Sequence, residues 1–285
     1  MAEIIDGKLV SKAVREKIKE ETSFLKEKYG VTPGLAVILV GDDPASAVYV
    51  RNKHKGCLEV GFESYEIKMP ADISERELLD KIDELNGDDK VNGILVQLPL
   101  PKHISEEKVI NRILPEKDVD AFHPQNVGKI MIGNYDFLPC TPAGIMELLS
   151  FYGVDLTGKE CVVVGRSNIV GKPMAMLLLA KNGTVTVCHS RTKCLSEVTK
   201  RADVLVVAIG KAGFITADMI KPGAVVVDVG INRLADGKLA GDVDFAGASD
   251  VASMITPVPG GVGPMTITML LRNTLTAAKR KVMDI

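Results

Sequence analysis

The sequence of 285 residues contains no tryptophan, and its aromatic residues amount to only 4%. Proteins that bind single-stranded nucleic acid by stacking bases need aromatic platforms, so this class is disfavoured. A surplus of positive charge is also missing, because 35 Lys and Arg residues face 37 Asp and Glu residues, for a net charge of −2. Binders of duplex DNA or RNA depend on a broad basic surface. The composition therefore predicts a protein without a nucleic-acid partner.

Long apolar runs are absent too. No stretch reaches the roughly 18 to 20 residues that cross a bilayer, and the longest candidates, such as 174–180, have the size of a core segment. The first ten residues carry Glu3 and Asp6, where a signal peptide would have positive charge. We therefore expect a cytoplasmic protein with no membrane association.

The cysteines include no Cys-x-x-Cys pair, which argues against a zinc ribbon or a thioredoxin-like motif. No other cluster of metal ligands is evident in the sequence, so we expect no metal. The five cysteines are scattered and odd in number, and we expect each to be a small buried hydrophobe. They are Cys57, Cys140, Cys161, Cys188 and Cys194.

The sequence does contain two series of helical patterns that alternate with short β-branched runs. Its length suggests about two domains, and the stretch 115–142, which contains several prolines, is the predicted junction. We expect a first domain over 1–139 and a second over 140–267, with a C-terminal helix over about 268–285 packing back on the first. Alternating strands and helices predict an α/β fold with mostly parallel sheets.

The two series differ in what their spacing resembles. The first has predicted strands at 34–40, 63–69 and 91–96 and predicted helices at 8–29, 45–60 and 74–86, and Ser74 and Glu77 are spaced as a capping box. The second has predicted strands at 159–164, 184–187, 204–208 and 224–227, a helix at 173–180, and a last helix at 265–281. The spacing of the second series resembles a Rossmann-like, doubly wound dinucleotide-binding domain.

A glycine-bearing turn follows the first strand of the second series. It is not Gly-x-Gly-x-x-Gly, but Gly165 ends the strand, Gly171 permits close backbone approach, and Pro173 suits a first helical turn. The N-terminus of the next helix would offer free N–H groups to a pyrophosphate. A strand-to-helix turn without a ligand is the alternative.

The end of the next strand bears on the choice between NAD and NADP. NAD-binding folds place a carboxylate there for the ribose 2′-OH, whereas this strand runs into Ser190 and Arg191. Ser190 can donate to a 2′-phosphate, and Arg166 or Arg191 can pair with it by charge-assisted hydrogen bonds. These residues favour NADP, with ordinary solvated arginines as the alternative.

Four residues of the first domain are candidates for the chemistry. Tyr49 and Lys53 are four positions apart on a predicted helix and so share a face. Gln97 follows a buried strand, at the edge where open α/β sheets bind ligands. Asp120, near Phe122, could hold the N–H groups of a heterocycle. Three of the four have an ordinary alternative: a solvated lysine, a glutamine that caps a strand, and an aspartate in a turn.

Seven segments occur in one order along the chain and together point to a family. They are Ser46-x-x-Tyr49-x-x-x-Lys53, Val96 to Pro101, Lys117 to Asp120, Pro139 to Pro142, Gly165 to Pro173, Asp228 to Asn232, and Thr256 to Thr266. With them the chain resembles the bifunctional methylenetetrahydrofolate dehydrogenase/methenyltetrahydrofolate cyclohydrolase family nearly end to end. It departs from the family at Ala121, where a glycine is usual; the extra methyl narrows the loop's freedom beside Asp120 without abolishing binding.

The resemblance implies two reactions in one cleft between the domains. In the first, NADP takes a hydride from 5,10-methylenetetrahydrofolate, which leaves the 5,10-methenyl cation. In the second, water attacks that carbon, and the ring opens to 10-formyltetrahydrofolate. The resemblance also implies tetrahydrofolate derivatives as substrates, a place in one-carbon metabolism and purine biosynthesis, and a homodimer.

The family's site residues carry over onto matching positions. Lys53 would be the principal catalytic residue, moving a proton or activating water, and Gln97 would orient it by a hydrogen bond. Tyr49 would stack on or bond to the folate, and Asp120 would bind the pterin. The folate pocket would also be lined by Pro259, Gly260 and Gly261. The implied NADP contacts are Thr141, Gly165, Arg166, Ser167, Ser190, Arg191 and Ile231.

Three other functions remain alternatives. One is a two-domain dehydrogenase of the shikimate type, against which the Val96 to Pro101 and Thr256 to Thr266 segments argue. Another is a protein that binds folate or nucleotide without catalysis. The third is a dehydrogenase of the same family that lacks the hydrolase activity.

Overall fold

The computed structural model describes residues 1–283, except for the side chain of Ala45. These residues form two compact units. Unit 1 consists of Met1–Lys12 and Pro139–Thr266. Unit 2 consists of Ala13–Leu138 and the chain from Ile267 onward.

The helices and strands are numbered in chain order. The strands are β1 (Glu3–Ile4), β2 (Gly34–Val40), β3 (Glu63–Met69), β4 (Gly93–Val96), β5 (Glu160–Val164), β6 (Thr184–Cys188), β7 (Val204–Val207), β8 (Val225–Asp228), β9 (Asn232–Arg233), β10 (Leu239–Ala240) and β11 (Met254–Ile255). The helices are α1 (Gly7–Tyr29), α2 (Pro44–Val60), α3 (Glu75–Gly87), α4 (Glu106–Arg112), α5 (Pro124–Met131), α6 (Cys140–Phe151), α7 (Gly171–Ala180), α8 (Leu195–Thr199), α9 (Phe245–Val251) and α10 (Val262–Arg280). Within residues 1–283, no helix is both long enough and apolar enough to span a bilayer.

Unit 2 is built on a three-stranded parallel sheet in the order β3-β2-β4. All seven residues of the central strand β2 are buried, as expected of an apolar run in a parallel strand covered on both faces. Leu78, Ile82 and Leu85 of α3 pack on one side of this sheet. The predicted capping box is present, since Ser74 Oγ accepts from the Glu77 N–H and the Glu77 carboxylate accepts from the Ser74 N–H.

A glycine in β4 lets two other segments pack closely on this sheet. A Cβ on Gly93 would lie 2.8 Å from Val119 Cγ1 and 3.1 Å from Thr274 Oγ1. Thr274 lies in α10, most of which belongs to unit 2. In addition, Asn273 Nδ2 donates to the carbonyls of Val119 and Leu138. The C-terminal helix is thus anchored on unit 2 by both packing and hydrogen bonds.

Unit 1 contains a six-stranded parallel sheet in the order β1-β11-β8-β7-β5-β6. From β5 the chain continues to β6 on one side and then to β7 on the other, which creates the topological switch point of a doubly wound sheet. Its core consists of the apolar side chains of β5, β7 and β8 with those of the surrounding helices and loops. The predicted α/β fold, with a Rossmann-like second sheet, is confirmed.

The N-terminal residues belong to unit 1, whereas the sequence predicts them in the first domain. The reason is β1, which pairs in parallel with β11 at the edge of the large sheet. Shortly after β1, Gly7 packs closely against the backbone of Gly261, since a Cβ on Gly7 would lie 1.7 Å from the Gly261 carbonyl oxygen. Both β1 and β11 have only two residues, so they carry almost no periodic signal in the sequence.

The expectation that every cysteine is buried is wrong at one position. Cys57, Cys140, Cys161 and Cys188 are buried, but Cys194 is exposed. Cys194 has a positive φ of 47° at the end of the loop before α8, where the chain turns at the surface. Burial raises the pKa of the Cys57 thiol to about 12 and that of Cys161 to about 11.

We predict that a maleimide labels Cys194 alone in the native protein, because a buried thiol with a raised pKa supplies little thiolate. Mass spectrometry should find one adduct in native buffer and five in denaturant. A Cys194→Ser variant should give no rapid adduct. Fast labelling of Cys57 or Cys161 in that variant would contradict the burial of these two thiols in α2 and β5.

Candidate active site

Helix α2 carries the first two candidate residues. It begins after Asp43, whose carboxylate accepts from the Ser46 N–H at 2.7 Å, and Pro44 occupies the first turn. Tyr49 and Lys53 are separated by one helical turn and lie on the same face. Tyr49 is 44% exposed, which leaves its ring accessible to a ligand.

Lys53 meets Gln97 across the sheet edge. Lys53 Nζ donates to Gln97 Oε1 at 2.7 Å. Gln97 is itself fixed, because its backbone N–H donates to the Ile38 carbonyl and its Nε2 donates to the Leu98 carbonyl. The hydrogen bond expected between Lys53 and Gln97 is therefore present, and both side chains are half-buried. This hydrogen bond fixes the position of the Lys53 Nζ atom.

The loop that carries Asp120 is attached to the neighbouring strand. Ile94 of β4 forms a bridge with Asp118, and its N–H donates to the Lys117 carbonyl at 2.8 Å. Lys117 is only 8% exposed, and its Nζ donates to the carbonyls of Leu85 and Asp88 at the end of α3. Lys117 therefore caps a helix and does not belong to the ligand-binding set.

Asp118 holds the other side of the same loop. Its carboxylate accepts from the His123 N–H at 2.8 Å and from Asn126 Nδ2 at 2.9 Å. Burial raises the pKa of Asp118, although these hydrogen bonds oppose the rise. Asn126 is 2% exposed, and the sequence alone does not indicate its role. It lies in the first turn of α5, a helix that is not predicted from the sequence, so its contact with Asp118 could not be anticipated.

Asp120 lies at the end of this anchored loop and is half-buried. Together with Leu98 and Phe122 it lines a small cavity of about 20 Å³ beside β4. Asp120 and Leu98, which follows Gln97, thus line the same cavity. Ala121 has a φ of +58° and is completely buried. The alanine therefore adopts a left-handed conformation that a glycine would adopt with less strain.

The glycine-bearing turn of unit 1, between β5 and α7, has the close packing that a dinucleotide would require. A Cβ on Gly165 would lie 2.3 Å from the Ala208 carbonyl oxygen, and one on Gly171 would lie 2.3 Å from the Gly165 carbonyl oxygen. Ser167 Oγ accepts from the N–H groups of Val170 and Gly171 at the start of α7. Strand, turn and helix are thus held tightly enough for a pyrophosphate to reach the backbone.

The register of the sheet brings the expected phosphate ligands to one edge. Val164 pairs with Cys188, and the Gly165 N–H donates to the Cys188 carbonyl at 2.9 Å. The turn with Arg166 and the loop with Ser190 and Arg191 therefore leave adjacent strands at the same edge. All three side chains are exposed, and no carboxylate lies between 188 and 192. These residues fit an NADP 2′-phosphate.

The remaining candidates lie elsewhere in unit 1. Thr141 is in the first turn of α6, and its hydroxyl is 3.0 Å from that of Thr266. Ile231 follows β8 and is 47% exposed. The segment Pro259 to Gly261 lies between β11 and α10, and Gly260 has a φ of +111°. Four of the proposed folate contacts thus belong to unit 2 and three to unit 1.

Comparison with known proteins identifies the family. Residues 5–120 match the family model of the tetrahydrofolate dehydrogenase/cyclohydrolase catalytic domain, and residues 139–282 match that of its NAD(P)-binding domain. The chain belongs to the tetrahydrofolate dehydrogenase/cyclohydrolase family. The bifunctional protein FolD of Acetivibrio thermocellus is 66% identical to it, over 98% of this chain and 97% of that one.

Solved structures of the tetrahydrofolate dehydrogenase/cyclohydrolase family have the same fold. The bifunctional FolD enzyme of Campylobacter jejuni superposes with a TM-score of 0.97 at 52% identity, covering 99% of this chain and all of that one. The FolD enzyme of Trypanosoma brucei, solved with NADP and an inhibitor, gives a TM-score of 0.96 at 42% identity, covering 99% of each chain. The fold of both units is therefore the family's fold.

We predict that Ala121→Gly changes the free energy of unfolding by less than about 1 kcal/mol. Relief of the left-handed alanine favours the variant by about 1–2 kcal/mol. The lost methyl costs about 0.8 kcal/mol, and the freer unfolded chain costs about 0.4–1 kcal/mol. Urea unfolding would measure the difference.

Ala121→Val serves as the opposite case. A β-branched side chain at a positive φ in a buried site should lower stability by about 2 kcal/mol or more. A valine variant as stable as the parent chain would show that this loop is not held as described.

Proposed function

We propose that the protein is a bifunctional, NADP-dependent methylenetetrahydrofolate dehydrogenase and methenyltetrahydrofolate cyclohydrolase. It oxidises 5,10-methylenetetrahydrofolate to the methenyl form and hydrolyses that to 10-formyltetrahydrofolate. The observation that carries the proposal is the hydrogen bond from Lys53 to Gln97, in a chain whose two units both match the family. That family match leaves no support for a dehydrogenase of the shikimate type.

The oxidation depends more on the alignment of the folate donor carbon with the nicotinamide than on acid–base catalysis. NADP, when bound, accepts the hydride, and the folate nitrogens stabilise the cation that remains. Arg166, Ser167, Ser190 and Arg191 would hold the phosphates, with Thr141, Gly165 and Ile231 completing the NADP site. Tyr49 and Asp120 would orient the folate ring, and the backbone of Pro259, Gly260 and Gly261 would line its pocket.

The hydrolysis requires proton transfer. Water that attacks the methenyl carbon loses one proton and leaves a hydroxyl group on that carbon. When the carbon–nitrogen bond then breaks, the nitrogen gains a proton and the hydroxyl loses its own to become the formyl oxygen, so that one proton is released overall. In this proposal Lys53 is the group that moves the proton or activates the water. Gln97 fixes the position of Nζ, because its Oε1 accepts a hydrogen bond from Nζ at 2.7 Å.

We also propose that the protein is a cytoplasmic homodimer. Several apolar side chains on unit 1 are at least 40% exposed, among them Phe214, Leu234 and Phe245. Association of two copies would remove such surface from water.

One spectrophotometric assay tests the two activities together. NADP and 5,10-methylenetetrahydrofolate should produce NADPH, and added 5,10-methenyltetrahydrofolate should lose its own absorbance faster than it does without protein. Production of NADPH without catalysed loss of the methenyl form would indicate the mono-functional dehydrogenase. Failure of both would support a protein that only binds folate or nucleotide.

In the same assay, we expect Lys53→Met to eliminate the cyclohydrolase activity, because methionine keeps most of the side-chain volume and cannot move a proton. NADP affinity should stay the same, since Lys53 lies in the other unit. Lys55→Met is the control, because Lys55 is exposed on α2 and lies two residues further on. A Lys53→Met enzyme that hydrolyses at the normal rate would refute the role.

Arg166→Ala should weaken NADP binding about tenfold to a hundredfold, the cost of losing a charge-assisted hydrogen bond. NAD binding should not change, since NAD lacks the 2′-phosphate. Calorimetric titration with both nucleotides would measure this, with the exposed Arg201→Ala as the matched control. Equal affinity of the parent chain for NAD and NADP would contradict the assignment.

A further inference from the structure

Two buried carboxylates lie near the carboxyl ends of the unit 1 strands, apart from the residues proposed to contact NADP or folate. Asp242 is completely buried, and Asp228, the last residue of β8, is 4% exposed. Buried carboxylates are costly unless hydrogen bonds satisfy them. Their partners therefore indicate what these two groups are for.

The Asp242 carboxylate accepts four hydrogen bonds. One oxygen, Oδ2, accepts from the N–H groups of Ile209 and Gly210 at 2.7 and 2.9 Å. The other, Oδ1, accepts from the Lys211 N–H at 2.7 Å and from Asn232 Nδ2 at 2.9 Å. A single side chain thus fixes the three residues 209–211, just beyond β7, and the asparagine that begins β9.

Asp228 holds the backbone around Asp242 and Gly230 by hydrogen bonds. Its Oδ1 accepts from the N–H groups of Gly230 and Asp242, and its Oδ2 accepts from the Val243 N–H, all at 2.9 to 3.0 Å. Burial raises the pKa of Asp228 to about 6, although these three hydrogen bonds oppose the rise. The packing leaves no room for a methyl group, because a Cβ on Gly230 would lie 2.2 Å from the Asp242 Oδ1 atom.

The two loops held by Asp242 leave adjacent strands. Val207 at the end of β7 pairs with Asp228 at the end of β8, and β7 also pairs with β5, which leads into the Gly165 turn. Ligands of doubly wound sheets bind beyond these carboxyl ends. Ile231, one of the proposed NADP contacts, lies between Gly230, which Asp228 holds, and Asn232, which Asp242 holds.

We propose that Asp242 is a positioning residue for NADP: it touches no ligand itself but holds the loops after β7 and β8 in the conformation that binds the nucleotide. The inference rests on the proposed function, because it assumes that NADP binds at this edge. Both acceptor oxygens are needed. An amide at this position could accept from only one pair of donors and would present its own N–H groups to the other pair.

Asp242→Asn tests this inference, with NADP affinity measured by calorimetric titration of the whole chain. We expect the dissociation constant for NADP to rise about tenfold to a hundredfold, because two donors lose a charged acceptor. In steady-state assays the KM for NADP should rise in parallel. The kcat at saturating NADP and the KM for methylenetetrahydrofolate should stay within about twofold of the parent values, the coupling limit for distant sites.

Two further variants complete the design. Asn232→Ala removes the hydrogen bond from Asn232 Nδ2 to Asp242 Oδ1 and should weaken NADP binding by a smaller factor. This variant keeps the inference testable if Asp242→Asn fails to fold. Asp236→Asn is the control, because Asp236 is exposed and its carboxylate interacts only with Lys238 among the described residues. It should leave NADP affinity unchanged.

The outcomes separate the two proposals. A parent chain that does not bind NADP refutes the proposed function. A parent chain that binds NADP, with Asp242→Asn and Asn232→Ala binding equally well, overturns the positioning role alone. A variant in which both KM values and kcat deteriorate together, with a lowered unfolding temperature, would show that Asp242 is merely structural and would also overturn it.

Discussion

β2 is hydrogen-bonded to a parallel strand on each side, and every one of its residues is buried. The same arrangement occurs around β5 in the second sheet, with β6 and β7 as its neighbours. In a parallel sheet all carboxyl ends lie at one edge, so loops far apart in the chain become neighbours there. Lys53 and Gln97, and likewise Arg166 and Ser190, depend on this pairing for their positions.

The loops at these edges need support, and buried polar groups supply it in both units. In unit 2, Lys117 and Asp118 secure the loop that ends at Asp120. In unit 1, Asp228 and Asp242 secure the segments around Gly210 and Ile231. Each of these groups is under 9% exposed and has hydrogen-bond partners, so each specifies a loop conformation where packing alone would leave freedom.

Some elements and contacts of this protein can be predicted from its sequence and others cannot, for physical reasons. The long strand β2, the α3 capping box and the doubly wound order follow from apolar runs and turn residues, and β3 follows from the alternation of its apolar residues. The Lys53–Gln97 hydrogen bond follows from the family resemblance together with helix spacing and strand position. The strands β1 and β11, with two residues each, are too short to show an alternating pattern in the sequence. The role of Asp242 is also invisible in the sequence, because three of its four donors come from residues 31 to 33 positions away and the fourth from an asparagine 10 positions away. Only the folded chain brings them together.

Gln97 acts on hydrolysis through Lys53, according to the proposed mechanism. The rate of methenyltetrahydrofolate hydrolysis by Gln97→Ala, compared with the rates of the parent chain and of Lys53→Met, tests this most directly. Gln97→Ala should hydrolyse more slowly than the parent chain, because Lys53 Nζ loses the acceptor that fixes its position. A Gln97→Ala enzyme that hydrolyses at the parent rate would contradict the proposed mechanism.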